Sequence, residues 1–328
     1  MIVVTGGAGF IGSNIVAALQ DRGEKDIAVI DRLGSDEKWK NLAKRNLAAI
    51  VPIEETFDFL DAHRKEIEAI IHMGAVSTTT ETDADLIIRS NFTLSSMLWC
   101  WCRDGGKRFL YASSAATYGD GRQGFVDRDD LEFLDALRPL NAYGWSKALF
   151  DRKVARELAE CRGAPPQHVG FKFFNVYGPN EYHKGGQKSV IAHIFPVAQA
   201  GKEVKLFKSY NPEYADGGQL RDFVWVGDIV AVIMWMLDHP EVSGLYNIGS
   251  GEARSFADLA RATFAALKAE PKIGYKEMPE ELRGKYQYYT KADLTKLRAA
   301  GYVAPMTRLE DGVKAYVTGF LAVEDPYR

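Results

Sequence analysis

Thr5-Gly6-Gly7-Ala8-Gly9-Phe10-Ile11-Gly12 is the stretch whose reading decides the fold. It follows the apolar run Ile2-Val3-Val4 and leads into Ile11–Arg22, where apolar residues recur at helical spacing. Gly6, Gly9 and Gly12 stand three apart rather than as G-x-G-x-x-G. Their physical use is similar: a tight turn, a backbone that can approach a pyrophosphate, and a helix packed close on a strand. Turns alone also need glycine, but a triplet set between strand and helix points to a dinucleotide cradle. Gly6, Gly9, Phe10, Ile11 and Gly12 are then its candidate residues.

Asp31 closes the next strand-like run, Ile27–Ile30. It lies ~20 residues past the glycines, where a carboxylate would meet ribose hydroxyls, which favours NAD. Arg32 follows it and Lys38 lies a few residues on. Either could neutralise the extra phosphate of NADP, or be a solvated surface charge, so the residues leave both cofactors open.

Outward from this point, strands are expected at Ala69–His72, Arg108–Ala112 and His168–Phe174, with helices at Asp83–Cys102 and Ala142–Glu160. Alternation of this kind implies parallel pairing through right-handed crossovers. The fold class is α/β: a doubly wound parallel sheet of Rossmann type with a smaller, interleaved C-terminal domain. Residues 1–175 form the expected dinucleotide-binding domain, with about 219–250 partly returning to it, and 176–328 mainly the substrate domain. The later segments read as helices at Ser189–Ala200, Ile229–Leu237, Ser255–Leu267 (Ser255 as N-cap) and Leu309–Leu321. Strands are expected at Val204–Phe207 and Arg221–Val226, with a polar stretch at Ser209–Gly218.

The chain has 328 residues, 46% of them hydrophobic, and 41 Lys and Arg against 44 Asp and Glu. That composition supports a sizeable core and gives no global sign of nucleic-acid or membrane binding. The run Ile229–Leu237 is too short to cross a bilayer, and Ile2-Val3-Val4 starts without a basic leader. The cysteines Cys100, Cys102 and Cys161 show no metal-ligand spacing. A reduced, cytoplasmic protein without a metal is expected. The near-neutral average hides a local imbalance: His183–Lys208 holds five lysines and two histidines against Glu203 alone.

Tyr143-Gly144-Trp145-Ser146-Lys147 opens an expected helix, which places Tyr143 and Lys147 on one face. A phenol is a poor base at neutral pH; a neighbouring ammonium and an oxidised nicotinamide would favour the phenolate. Ser114, just after a strand, could hydrogen-bond the same substrate hydroxyl. A Tyr-x-x-x-Lys pair alone is frequent by chance; with the glycine loop and Ser113-Ser114 it becomes specific.

The set Thr5–Gly12, Ser113–Gly119, Tyr143–Lys147 and Arg221-Asp222-Phe223 resembles the extended short-chain dehydrogenase/reductases, which largely act on nucleotide sugars. Tyr111–Gly119, Phe174–Pro179, His183-Lys184-Gly185, Gly284–Gln287 and Thr290–Leu294 resemble more closely its branch of ADP-heptose epimerases, over almost the whole chain. The resemblance implies Tyr143 as one acid/base, Lys147 as its activating and ribose-binding partner, Ser114 as hydroxyl anchor and Lys184 as a second acid/base. A second group has a reason, because a ketone intermediate must regain hydride on its other face.

The resemblance further implies NADP, held also by Met73, Gly74, Ala75, Val76, Ser77, Asn91 and Val176. It implies a substrate site of Asn175, Gly186, His193, Phe207, Lys208, Ser209, Tyr210, Arg221 and Tyr286, and a homo-oligomer, a ring-like pentamer. A guanidinium at Arg221 suits a pyrophosphate; an ion pair with Asp222 is the plainer alternative. His193 could equally face a core. Met73 and Gly186 depart from the branch, which has a carboxylate and a serine there. Another nucleotide-sugar epimerase, such as a UDP-hexose 4-epimerase, or a non-catalytic dinucleotide-sensing protein of this fold, are the competing readings. Ala115-Ala116 after Ser114 speaks against a 4,6-dehydratase.

Overall fold

The computed structural model of the chain describes residues 1–283 and 286–328. Gly284 and Lys285, the first half of the Gly284–Gln287 motif, lie outside the described residues. The strands in chain order are β1 (Ile2–Thr5), β2 (Ile27–Ile30), β3 (Ala49–Val51), β4 (Ala69–His72), β5 (Arg108–Ser114), β6 (His168–Phe173), β7 (Asn175–Tyr177), β8 (Val204–Phe207), β9 (Leu220–Trp225), β10 (Gly244–Ile248), β11 (Ala253–Ser255) and β12 (Ile273–Lys276).

Seven of these form one sheet in the order β10-β6-β5-β4-β1-β2-β3, each neighbour pair parallel. Successive residues point to opposite faces. Val4, Val29 and Ile71 pack with Ile15 and Leu19 of the helix Phe10–Asp21 and Ile229 and Ile233 of the helix Val226–Asp238. Val3, Ala28 and Ile70 pack instead with Leu98 and Trp99 of the helix Leu94–Gly105 and Phe150 and Val154 of the helix Ala142–Ala159. Burying each such aliphatic side chain is worth about 1.5–3 kcal/mol. A sheet covered on both faces by crossover helices is the doubly wound architecture the sequence implied. Strand order reverses between β1 and β4, where such sheets open a crevice at the carboxyl ends of the strands.

A separate core joins the helices Val190–Gln199, Phe256–Ala266 and Leu309–Tyr316 to β8 and β9 through Ile191, Leu206, Leu259 and Val313. The Ser255 N-cap holds as a full capping box: Asp258 N–H donates to Ser255 Oγ at 3.0 Å and Ser255 N–H donates to Asp258 Oδ2 at 3.1 Å. Smaller sheets order as β11-β9-β7 and β12-β8. Among the described residues no helix is long and apolar enough to cross a membrane.

Several expectations need correction. The central sheet also holds β3 and β10, which were not foreseen: β3 is three residues long, and β10 reads Gly-Leu-Tyr-Asn-Ile without a β-branched run. The single helix expected over Asp83–Cys102 is three pieces, with a wider π turn at Ile88–Thr93 between Ala84–Ile87 and Leu94–Gly105. The strand expected to reach Phe174 breaks there into β6 and β7, with Phe174 N–H donating to Ile248 O. Leu98, Trp99, Trp101 and Cys102 are all buried within this chain.

Candidate functional site

The glycine loop is built by close backbone approach. Gly6 has φ +65°, and a Cβ there would stand 2.6 Å from Gly74 Cα; a Cβ on Gly12 would stand 2.1 Å from Gly6 O. Any side chain would push the turn off β1 and away from the helix. Gly9 caps the helix in extended conformation without a side-chain bond, so the first-turn N–H groups of Phe10, Ile11 and Gly12 carry the positive helix end into the crevice. This cradle fits the pyrophosphate of a dinucleotide.

Asp31, at the end of β2, is buried and held by the chain's own donors. Ala8 N–H donates to Oδ2 at 2.8 Å, while Arg32 N–H and Lys38 Nζ each donate to Oδ1 at 2.7 Å. Lys38 Nζ also donates to Arg32 O at 2.8 Å. The Arg32 guanidinium pairs with Glu54 and stays mostly exposed. Lysine and arginine thus flank a carboxylate already in use.

Behind β4 lies a fully buried polar relay. His72 ring nitrogens meet Thr5 Oγ1 at 2.6 Å and Ser95 Oγ at 2.8 Å. Burial, then the nearby Lys147 charge, pulls His72 down to about 3, which keeps its ring neutral. Asn91, inside the π turn, accepts from Val76 N–H at 2.8 Å and donates to Val76 O at 2.9 Å and Ser146 Oγ at 3.0 Å. Its amide is spent on the backbone, so Asn91 shapes the Met73–Ser77 segment rather than offering that amide to a cofactor. Of that segment, Gly74 packs on the Gly6 turn and Met73 on the core beside the first helix.

Ser114 ends β5 and Tyr143 and Lys147 lie in the first turns of the helix Ala142–Ala159, capped by Asn141 Oδ1, which accepts from Gly144 N–H at 2.8 Å. Gly144 packs against the turn after Ser114; a Cβ there would lie 2.7 Å from Ala116 O. Burial pushes the Tyr143 phenol above its ordinary value, and a hydrogen bond with Ser114 works against that shift. Lys147 is buried, donates to Ala112 O at 2.8 Å, and is brought down to about 8 by burial, partly opposed by Asp151. Within the chain, Ser114 is the group whose hydrogen bond lowers Tyr143.

Lys184 sits in a short 3-10 turn, Tyr182–Gln187, with its ammonium 5.6 Å from the centre of the Phe10 ring. Burial lowers its pKa against the opposing pull of Glu181. Glu181 is buried, accepting from Ser189 N–H, from Ser189 Oγ at 2.6 Å and from Tyr316 OH at 2.9 Å. Asn41 Nδ2 bridges Ala8 O at 2.9 Å and Asn180 O at 3.0 Å, and lies 3.2 Å from His183 Nδ1. Gly186 is exposed, with open space where a Cβ would be.

Arg221 is 8% exposed, donates to Leu220 O at 2.8 Å and lies over the rings of Tyr286 and Phe256, at 5.1 and 5.8 Å. Among the described residues no carboxylate pairs with it. The alternative ion pair is excluded, because Asp222 accepts from Ser250 N–H, Gly251 N–H and Ala292 N–H at 2.6, 3.0 and 2.9 Å. His193 is exposed on its helix, Nε2 3.3 Å from Gly186 O, and does not face a core. Asn175 is exposed and Val176 half-buried on β7. Phe207 ends β8 beneath the Lys276 ammonium. Lys208 bonds Glu277 at 2.6 Å, Ser209 N–H donates to Asp216, and Tyr210 takes Glu277 and stacks under Arg283 at 4.0 Å. Lys208, Ser209 and Tyr210 thus form a polar cluster that joins the Arg221 side, since Tyr210 N–H donates at 3.1 Å to Tyr288 OH, whose ring packs on Tyr286. Asn41, Glu181 and Tyr316 carried no motif that the sequence could have flagged.

A parallel sheet with a glycine cradle on its first strand and a Ser-Tyr-Lys set on its fifth strand and the helix Ala142–Ala159 is of the extended Rossmann class. The chain belongs to the NAD dependent epimerase/dehydratase family, an enzyme family whose model matches residues 2–249. It is 50% identical over 332 residues, with all of both chains covered, to the ADP-L-glycero-D-manno-heptose-6-epimerase of Nitratidesulfovibrio vulgaris (strain DP4). The enzyme of that name from Fusobacterium nucleatum subsp. nucleatum is 46% identical over 335 residues, again with all of both chains covered. Among solved structures, Helicobacter pylori ADP-L-glycero-D-manno-heptose-6-epimerase matches with a TM-score of 0.80 and 28% identity, over 98% of this chain and 96% of that one. Thermus thermophilus UDP-glucose 4-epimerase in complex with NAD matches at 0.76 and 26%, over 96% and 97%.

Proposed function

We propose that the chain converts ADP-D-glycero-D-manno-heptose to ADP-L-glycero-D-manno-heptose at C6, using NADP. Full-length likeness to two proteins named for that epimerisation carries this reading. The bound nicotinamide would supply a place for hydride to leave the sugar and return. Gly6, Gly9, Phe10, Ile11 and Gly12 would hold the pyrophosphate, and Gly74, Ala75, Val76 and Ser77 would line its nicotinamide end. Lys38 and Arg32 would take the ribose phosphate, exchanging their contacts with Asp31 and Glu54 for it.

Ser114 and Tyr143 would hold the C6 hydroxyl, with Tyr143 Oη taking its proton as the ketone forms. Lys147, fixed on Ala112 O, would steady the cofactor ribose beside Tyr143. Lys184, placed at the head of the first helix, would protonate the ketone oxygen after the intermediate turns over. A buried guanidinium without a carboxylate partner suits a pyrophosphate, so Arg221 with Tyr286 would receive the nucleotide diphosphate. Asn175, Gly186, His193 and Phe207 would border the sugar, and Lys208–Tyr210 the nucleotide end.

We divide the chain accordingly: residues 1–175 with about 219–250 for the cofactor, and 176–328 mainly for the sugar nucleotide. The separate core of the later helices supports this division, while Leu297 and Tyr302 join the core of the central sheet. The test is to incubate the protein with ADP-D-glycero-D-manno-heptose and follow C6 configuration by NMR, with UDP-glucose in parallel. Inversion of the heptose alone is expected. Turnover of UDP-glucose without the heptose would replace this reading by a hexose 4-epimerase. Identifying the nucleotide released on denaturation decides NADP against NAD.

A further inference from the structure

We propose that the buried pair Lys172–Asp151 sets the working pH of the Tyr143–Lys147 group, balancing a positive against a negative charge directly behind it. The inference rests on the reading of Tyr143 as an acid/base, and names Asp151 and Lys172 as positioning residues that act through it.

Asp151 lies one helical turn beyond Lys147 and two beyond Tyr143, so the three share a face. Lys172 projects from β6, and neither it nor Asp151 exposes any side-chain surface. Lys172 Nζ donates to Asp151 Oδ2 at 3.0 Å and to Thr117 Oγ1 at 2.6 Å, and lies 4.6 Å from the centre of the Tyr118 ring. Ser113 Oγ donates to the same Asp151 oxygen at 2.7 Å. The other oxygen, Oδ1, is buried with no hydrogen-bond partner among the described residues.

For holding helix to sheet this is a poor device. A buried ion pair gains little over apolar residues of similar volume, and a bare buried oxygen costs more. What the pair does supply is a fixed field. The Asp151 carboxylate pulls both Tyr143 and Lys147 toward their protonated forms, and an ammonium 3.0 Å from that carboxylate is placed to offset the pull. The tyrosines and the histidine packed on this pocket carry no charge. Tyr111 on β5 and Tyr118 in the turn after it are pushed well above the usual phenol range by burial, and His72 on β4 is held neutral by burial. Asp127 and Asp293 act on Tyr118 and Asp129 acts on Tyr111, each one phenol removed from Tyr143. Among the described residues, the charges on the Tyr143–Lys147 face and directly against it are Lys147, Lys172 and Asp151.

The test compares pH profiles of kcat/KM on the ADP-heptose for wild type, Asp151→Asn, Lys172→Met and the double variant. Removing the carboxylate leaves an uncompensated ammonium, so Asp151→Asn shifts the acid limb down by about one pH unit. Lys172→Met shifts it up, and the double variant lies between the two. Tyrosinate absorbance, taken as the difference between each protein and its Tyr143→Phe counterpart, reads the same ionisation without catalysis. Should Lys172→Met fail to fold, the isosteric Asp151→Asn and the double variant carry the comparison. Profiles and absorbance titrations that coincide, or that move in one direction for both single variants, overturn the proposal. An absorbance shift of the expected sign with an unmoved activity limb would keep the pair's field and discard Tyr143 as the base.

Discussion

The Tyr143 side and the Lys184 side of the site are made in different ways. Ser114, Tyr143 and Lys147 stand on the end of β5 and the first turns of a long helix, over the buried His72 and Asn91 relay and the buried Lys172–Asp151 pair. Short-range periodicity and close packing hold them. Lys184 instead rides a six-residue turn whose Gly185, Gly186 and Gln187 are exposed. It is tied down from far away in the chain. Glu181 takes Tyr316, Tyr182 OH donates to Pro326 O at 2.9 Å, and Arg328 N–H donates to Asn180 Oδ1 at 3.0 Å. Packing gives one group a single place, whereas the other depends on tethers to the last helix and the C-terminal residues.

The largest expected effect is on chemistry. Tyr143→Phe should lower kcat by about 10³-fold with the fold intact, and Lys184→Ala by about 10²-fold, as general acid/base losses do. Near-normal inversion by the Lys184 variant would break the two-base comparison and leave Tyr143 to serve both half-reactions.

Acid should next separate the buried relay from the tethered loop. In the folded chain His72 titrates at about 3, against about 6.5 for a free imidazole. Below pH 6.5 the unfolded chain therefore binds a proton that the folded chain refuses, and stability falls as pH drops toward 3. The loss between pH 7 and pH 5 is about 2 kcal/mol by this group. Guanidinium unfolding at the two pH values measures it, with His72→Asn removing this part of the slope.

The smallest effect tests the tether. Tyr316→Phe removes one hydrogen bond to the buried Glu181 and should cost about 1 kcal/mol of stability. It should lower kcat a few-fold while leaving the pH profile of the Tyr143 limb in place. A shifted limb would mean the two sides are coupled, and the contrast between them would have to be redrawn.

Much of this was legible beforehand because it depends on local rules. Gly6 and Gly12 announce a turn that only glycine can make, Ser255 announces a helix start, and Tyr143 with Lys147 announces one helical face. The alternation of β-branched runs with helical spacing was enough for a doubly wound sheet. β3 and β10 escaped because short or mixed strands gain their pairing from neighbours rather than from their own residues.

By itself the sequence determined the fold class, the glycine cradle and the kinds of side chain offered to the site. Tertiary structure alone decided how those side chains are used. Asn91 turned inward to the Val76 backbone, Asp222 was taken up by three backbone N–H groups, and Arg221 was left buried with aromatic faces for company. The reason is range. Helical and strand periodicity is written over a few neighbouring residues, whereas burial, charge pairing and hydrogen-bond satisfaction depend on groups brought together from distant parts of the chain.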